Sequence, residues 1–343
     1  LFALAAQKAA PGPDCGLAPL PSRARLPALF SMVVEPQHLD KIITSLASAI
    51  DLQKSKVKVG PQRVTVFGGP ALDDENKPTS QRAIFLLSPG ALADHLVVPE
   101  DFKNWNHFGT YDNLLNFEED VCALVDTVLV FLESAGSIAE FAAFIKNKDI
   151  APKLFVVANS EHDQDSFIRL GLIKYLTSEY SNRINFITSR ASSLEIEEIQ
   201  FILAEINKRF QNTPRAPAFT RTNTRHMMYL IVDFIDLIQV ARISDIQLFL
   251  KELGFLVSKR RTEQLILALK NVRLINEDRV LSERCFFLDD ATSLIDYSFH
   301  VGATAKRLSW KARLFEKTMD DKWRAFAFRH LKQPQQKELS NVA

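Results

Sequence analysis

Several signals that usually announce a function are missing from this 343-residue chain. Cysteine occurs only at Cys15, Cys122 and Cys285, too sparsely for a disulfide framework. That usage suggests a reducing compartment, so the expected location is the cytoplasm. No run of 18 apolar residues exists, and no membrane span is expected. The most apolar helical stretch, 227–240, is interrupted by Asp233 and Asp236. The seven histidines lack metal spacing, and Cys-x-x-Cys and His-x-x-x-His are absent, so no metal is expected. Also missing are a GxGxxG loop, a Walker loop and a serine nucleophile elbow, and no cofactor is expected. Any chemistry would be carboxylate chemistry.

What is present is a globular composition, 47% apolar and 24% charged, in a chain long enough for two cores. The net charge of +1 hides an asymmetry. Residues 211–343 hold 22 Lys and Arg against 15 Asp and Glu, whereas the rest holds 20 against 26. An acidic first part joined to a basic second part makes the second the candidate for nucleic-acid contact.

The organising stretch is 126–145. Residues 127–132 form a continuous apolar, β-branched run, as in a strand buried on both faces of a parallel sheet. A turn, 133–136, leads to a helix that Ser137 is expected to open. One carboxylate, Glu133, thus ends a strand, and a second, Glu140, falls in the first turn of the next helix. There the helix dipole would hold it ionised. In open α/β sheets this strand-to-helix edge is where ligands bind. Two plainer readings stand beside this one. Ser137-x-x-Glu140 has the form of a capping box, and Glu133 could be a solvated strand end.

Around this stretch the chain reads as alternating strands and helices. Residues 1–31, rich in Ala, Leu and Pro, read as a disordered or mis-started extension, Met32 being the first methionine. An amphipathic helix is expected over 38–53. A strand over 63–67 runs into Gly68-Gly69, where glycine allows close backbone approach to a ligand or simply a loop. Residues 83–87 fit either a strand or a buried helix. A strand from 96 ends at Pro99, with Glu100 and Asp101 at its mouth or as the start of a capped helix. Trp105, Phe108 and Tyr111 could stack on a base or pack beneath their loop. A helix over 113–125, a strand over 153–158, a short strand over 184–187 and a helix over 194–210 complete a doubly wound parallel α/β fold. This domain spans 32–211, and 212–220 is a linker.

Over 221–301, three helices and a hairpin follow in the order of a winged helix. The second helix is expected to have Ser244 as its cap, and the hairpin to turn at Asn-Glu-Asp-Arg, 276–279. Lys259, Arg260, Arg261, Lys270 and Arg273 lie on or near the would-be recognition helix. Such a module could instead serve protein contact. The tail, 302–343, is helical and basic. Lys306, Arg307 and Lys311 begin a series interleaved with aromatic residues, which suits phosphate contact with stacking or docking on a protein.

The run Glu-Ser-x-Gly-Ser-x-x-Glu, from Glu133 to Glu140 with Asp126 before its strand, resembles the catalytic turn of the nucleoside deoxyribosyltransferase-like superfamily. It is most similar to the branch found as effectors of bacterial retrons. The resemblance implies a nucleoside deoxyribosyltransferase-like fold in which Glu140 is the nucleophile. It implies that Glu133, Glu100 or Asp101 binds ribose hydroxyls or protonates the leaving base. Gly68, Gly69, Ser134, Gly136 and Ser137 would line the pocket, and 166–171 would help close it. Deoxyribosyltransferases usually carry Asp where Ser134 stands and Gly where Ala142 stands, which favours hydrolysis over base exchange. The implied function is that of a toxin effector cleaving NAD or a related nucleotide. The implied partners are the retron reverse transcriptase and its msDNA, a single-stranded DNA–RNA hybrid, together with further copies of the chain. Two other functions are open: a winged-helix DNA-binding regulator that senses a nucleotide, and a salvage deoxyribosyltransferase.

Overall fold

The structure is a computed structural model that describes residues 38–70, 72–99, 102, 109–160, 165–180, 184–187, 193–214, 216–302 and 306–332. Its centre is a five-stranded, all-parallel sheet. The strands are β2 (Val64–Phe67), β3 (Leu96–Val97), β4 (Thr127–Leu132), β5 (Leu154–Asn159) and β6 (Ile184–Ile187), in the spatial order β3-β2-β4-β5-β6. Every residue of β4 and β5 is buried, as the apolar runs Val128–Leu132 and Leu154–Ala158 require. Alternation divides them between two layers. Val128, Val130 and Leu132 point into one, with Val156 and Ala158, while Leu129, Phe131, Phe155 and Val157 point into the other.

The second layer is closed by α2 (Gln81–Leu87) and α6 (Ile196–Gln211), through Phe85, Ile202 and Ile206. The first is closed by α3 (Leu114–Leu124) and α4 (Ala135–Phe144), through Phe117, Val121, Phe141 and Phe144. Asn113 caps α3 by accepting from the Asn116 N–H at 2.9 Å. Residues 83–87, which fit strand or helix equally, are helical because Ser80 Oγ accepts from the Ala83 N–H and starts α2. After β5 a π-helical segment, Phe167–Ile173, leads into α5 (Lys174–Tyr180).

The remaining elements form a C-terminal lobe. It holds α7 (Thr224–Ile238), α8 (Ile243–Glu252), α9 (Lys259–Asn271) and the hairpin β7 (Asn276–Val280) to β8 (Glu283–Phe287). Ala241, between α7 and α8, bridges to Phe286 and joins the hairpin to the helices. Then follow β9 (Ile295–Phe299), α10 (Arg307–Asp320) and α11 (Lys322–Lys332). Two local expectations change. The cap of α8 is Arg242 with Asp245, not Ser244, because the helix begins two residues earlier, at Ile243. The hairpin turns at Leu281-Ser282, both at positive φ, so 276–279 is strand and not turn.

The N-terminal segment belongs to this lobe as well. The helix expected over 38–53 ends early, as α1 (His38–Ala49), because Ile50–Val57 is a strand, β1, paired antiparallel with β9. Helix α1 packs on α8 and α10. Beside β1 the chain also returns: Val57 N donates to Pro217 O and Phe219 N to Ser55 O, each at 2.9 Å. The sheet and its helices are therefore an insertion whose two ends lie side by side. Residues 38–57, grouped by their sequence with the α/β part, find their partners in the other lobe.

Candidate active site

Counted among themselves, the sheet strands run 2-1-3-4-5. The order reverses between β2 and β4, and a crevice outside the carboxyl ends of the strands is expected at that point. Phe67, which ends β2, pairs with Val130, so β4 continues two residues further and brings Glu133 beside the Gly68-Gly69 turn.

Glu133 reaches across this switch point. Its carboxylate accepts from the N–H groups of Gly69 at 2.8 Å, Gln81 at 2.6 Å and Arg82 at 3.1 Å. It is therefore not a solvated strand end but a staple between the glycine turn and the start of α2. This explains the glycines. A Cβ on Gly68 would lie 2.7 Å from both Glu133 Oε1 and Arg82 Cβ, and one on Gly69 would lie 2.8 Å from Ser80 Cβ. The close approach they permit is to the protein's own side chains.

Three polar side chains that the sequence did not single out complete this edge. Arg82 is buried, and its guanidinium donates to Val66 O and Gly69 O. Gln81, also buried, donates from Nε2 to Asn159 Oδ1 at 2.9 Å. Asn159 ends β5 and is buried in turn. A faint signal existed, since Ser80-Gln81-Arg82 directly precedes one apolar run and Asn159 directly follows another.

The helix after β4 starts earlier than expected. Its cap is Ser134, whose Oγ accepts from the Ser137 N–H at 3.1 Å, while Ser137 Oγ accepts from the Ser134 N–H at 3.1 Å. The reciprocal box is Ser134 with Ser137, not Ser137 with Glu140. Gly136 lies exposed in the first turn. Because α4 begins at Ala135, Glu140 falls in its second turn, beyond the free N–H groups. The dipole argument for its ionisation does not apply there. Glu140 is half-buried, its Oε2 fully so. Its charge is felt on α3: burial first, then Glu118 and Glu140 push the Cys122 thiol well above its ordinary value, against the pull of Lys153. Glu100 and Asp101 lie outside the described residues, as do Trp105 and Phe108. Tyr111 packs: it is buried and donates to Asp120 Oδ2 at 2.7 Å or to Gln264 O at 2.8 Å.

That contact belongs to a seam between the lobes, and it engages the basic face of α9. The Arg261 guanidinium grips Asp120 of α3 with two hydrogen bonds, 2.6 and 2.7 Å. Arg260 pairs with Asp112. Lys270 pairs with Glu277 at 3.1 Å. In the tail, Arg307 pairs with the buried Asp233 and Asp236, and Lys311 with Asp236. Lys259, Arg273 and Lys306 are exposed. Among the described residues no group of three His, Cys, Asp or Glu is placed to hold a metal, and no helix is long and apolar enough to cross a membrane.

The chain is thus an α/β protein with a five-stranded parallel sheet, a glycine turn and carboxylates at the switch point, and a helical lobe clamped to it. It belongs to the STM3845 retron effector protein family, which it matches over residues 78–277, more than half its length. It is also similar to a protein of retron Ec73 from Escherichia coli, with 36% identity over 77 residues. That relative is provisionally named a ribosyltransferase/DNA-binding protein. The shared stretch covers 22% of this chain and 24% of the relative's length.

Proposed function

We propose that this chain is the toxin effector of a retron anti-phage system, breaking the N-glycosidic bond of NAD or a related nucleotide. The α/β lobe has a nucleoside deoxyribosyltransferase-like fold, and Glu140 is its nucleophile. The C-terminal lobe is a winged helix that, with its basic tail, meets the retron reverse transcriptase and msDNA, which hold the activity in check. The observation that carries this reading is the switch-point edge. A carboxylate-bearing helix leaves a buried parallel strand there, inside the stretch that matches the retron effector family. The name of the Ec73 relative pairs the same two activities, ribosyl transfer and DNA binding.

In this mechanism the Glu140 carboxylate attacks the anomeric carbon as it becomes oxocarbenium-like. The C–N bond breaks and its electron pair passes to the leaving base, which neutralises a nicotinamide ring. Water then attacks the glycosyl ester, regenerates the carboxylate and leaves a ribose hydroxyl. The chain's own contribution is positional. Glu133 fixes the Gly69 turn and the start of α2 against β4, and the Ser134–Ser137 box fixes the first turn of α4. The Gln81–Asn159 pair supplies amide groups at the floor of the same edge.

The test is nicotinamide release from NAD by the full chain and by Glu140→Gln, with deoxynucleosides run in parallel. Release that falls by a factor of about 100 or more in the variant, at an unchanged melting temperature, is the expected result. Base exchange between deoxynucleosides would favour the salvage transferase. Duplex binding without turnover of any nucleotide would favour the regulator.

A further inference from the structure

The basic tail divides by direction. Along α10 and α11 several cations face inward: Arg307 and Lys311 meet Asp233 and Asp236, and Arg324, 4% exposed, is locked on Asp245. Trp323 faces inward too, donating from Nε1 to Val280 O of the hairpin. Opposite lies a different face of α11. Lys322, Phe326, Arg329 and His330 are all exposed, at spacings of four, seven and eight residues, which is one stripe of an α-helix.

Three features of this stripe point to a ligand. Phe326 is 47% exposed although apolar, and its ring lies parallel to that of His330, 7° apart in plane with centroids 6.2 Å apart. Neither Lys322 nor Arg329 has a carboxylate partner among the described residues, and α11 contains no acidic residue. The acids that precede the helix are engaged elsewhere, Asp320 with Lys317 and Asp321 with Arg324. Arg329 Nε donates to Ala325 O at 3.0 Å, which leaves its charge without a counter-ion. An exposed aromatic pair flanked by two such cations matches the two demands of a single strand, a platform for unstacked bases and counter-charges for phosphates. A duplex offers no free base face to such a platform. Helix α9, the expected reader of a groove, has Arg260 and Arg261 turned onto the α/β lobe.

We infer that the exposed face of α11, built from Lys322, Phe326, Arg329 and His330, is a binding surface for single-stranded nucleic acid. The inference rests on the proposal that the C-terminal lobe has a nucleic-acid partner, and it is independent of the chemistry assigned to Glu140. Bases stack on the Phe326–His330 platform while Lys322 and Arg329 take flanking phosphates. Helix α11 is anchored to the hairpin by Trp323 and to α8 by Arg324, so the platform is rigid.

The experiment is fluorescence anisotropy of the full chain with a labelled single-stranded oligonucleotide, and with its duplex, across a salt series. Phe326→Ala should weaken single-strand binding about five- to a hundredfold, and Phe326→Trp should restore it. The double variant Lys322→Ala/Arg329→Ala should lower the slope of log affinity against log salt by about 0.7 for each contact removed. Melting temperatures should stay within a few degrees of the parent, because these side chains face solvent. Lys174→Ala, an exposed cation on α5, should bind as the parent does. The inference is overturned if the α11 variants bind like the parent, if Lys174→Ala loses as much affinity as they do, if duplex is preferred, or if the parent binds no single strand. None of these results touches the Glu140→Gln assay, so the two proposals can fail separately.

Discussion

Two polar clusters flank the unit made of α3 and β4, and they are built on different principles. At the seam between the lobes, charge meets charge. Asp120 is held by Arg261, and Asp126 by Arg225 at 2.9 Å and by the Arg63 N–H at 3.0 Å. At the carboxyl edge of the sheet, Glu133 is held by three main-chain N–H groups, and Arg82 donates to two main-chain carbonyls. Side-chain pairs at the seam tie together residues far apart in the chain and hold two bodies in one arrangement. Main-chain contacts at the edge instead shape a turn and a helix start at the switch point. The comparison teaches that counting basic residues does not locate a nucleic-acid surface. What decides is where their counter-charges lie, and for Arg260, Arg261 and Lys270 of α9 they lie within the protein.

The largest effect should come from breaking the seam. Removing one partner of a buried ion pair costs ~3–5 kcal/mol. Arg261 is 34% exposed and can turn to water, whereas Asp120 is 5% exposed, so the low end applies. Asp120→Ala should therefore cost about 3 kcal/mol, read as a lower denaturant midpoint at constant slope. A loss under about 1 kcal/mol would mean the seam is solvated and the lobes separate readily.

At the edge, Glu133→Gln turns an amide N–H₂ toward main-chain N–H donors and leaves at least one without an acceptor. The expected cost is ~1–3 kcal/mol. Ser134→Ala removes the α4 cap and should cost about 1 kcal/mol. If Glu133→Gln abolished base release with no loss of stability, Glu133 would be a chemical group and not the staple its contacts describe. That result would erase the difference drawn between the clusters.

How far these clusters were legible in the sequence follows from the same physics. Strand β4 was readable because five of its six residues are apolar and all six are buried, so no facing partner had to be known. The start of α4 was not. Ser134-x-x-Ser137 and Ser137-x-x-Glu140 are overlapping cap patterns, and the choice fell to the strand, which ends at Leu132 and leaves only Glu133 before the cap. Strand β1 gave no local signal because its partner, β9, lies at the other end of the chain. The same distance hid the role of α9: Arg261 meets an acid 141 residues earlier, and its charge read from sequence alone looked available to a nucleic acid. Gln81, Arg82 and Asn159 were missed because a buried polar residue shows itself only through its partners.

The smallest expected effect is a pH dependence beside the seam. Lys153 Nζ donates to Cys122 O at 3.1 Å and Ala123 O at 2.6 Å, closing the end of α3. Burial, and next the Arg225 charge, push its pKa down to about 7, below the 10.5 of a free lysine. Above pH 6 the unfolded chain therefore binds more protons at this site than the folded one, and stability rises with pH. Below pH 6 both states are protonated and the cost of the buried charge is constant. Burial also lowers His226, which adds a rise of the same sign below its ordinary 6.5, so parent and Lys153→Met must be compared by difference. The parent should gain on the variant by under about 1 kcal/mol between pH 6.5 and 7.5. The rise continues toward the 10.5 of a free lysine, but from about pH 8 Cys122, raised by burial, adds a trend of opposite sign, so the comparison is made below it. Equal slopes for Lys153→Met and the parent would mean that water reaches the end of α3, and the seam would then be no drier than the edge it is compared with.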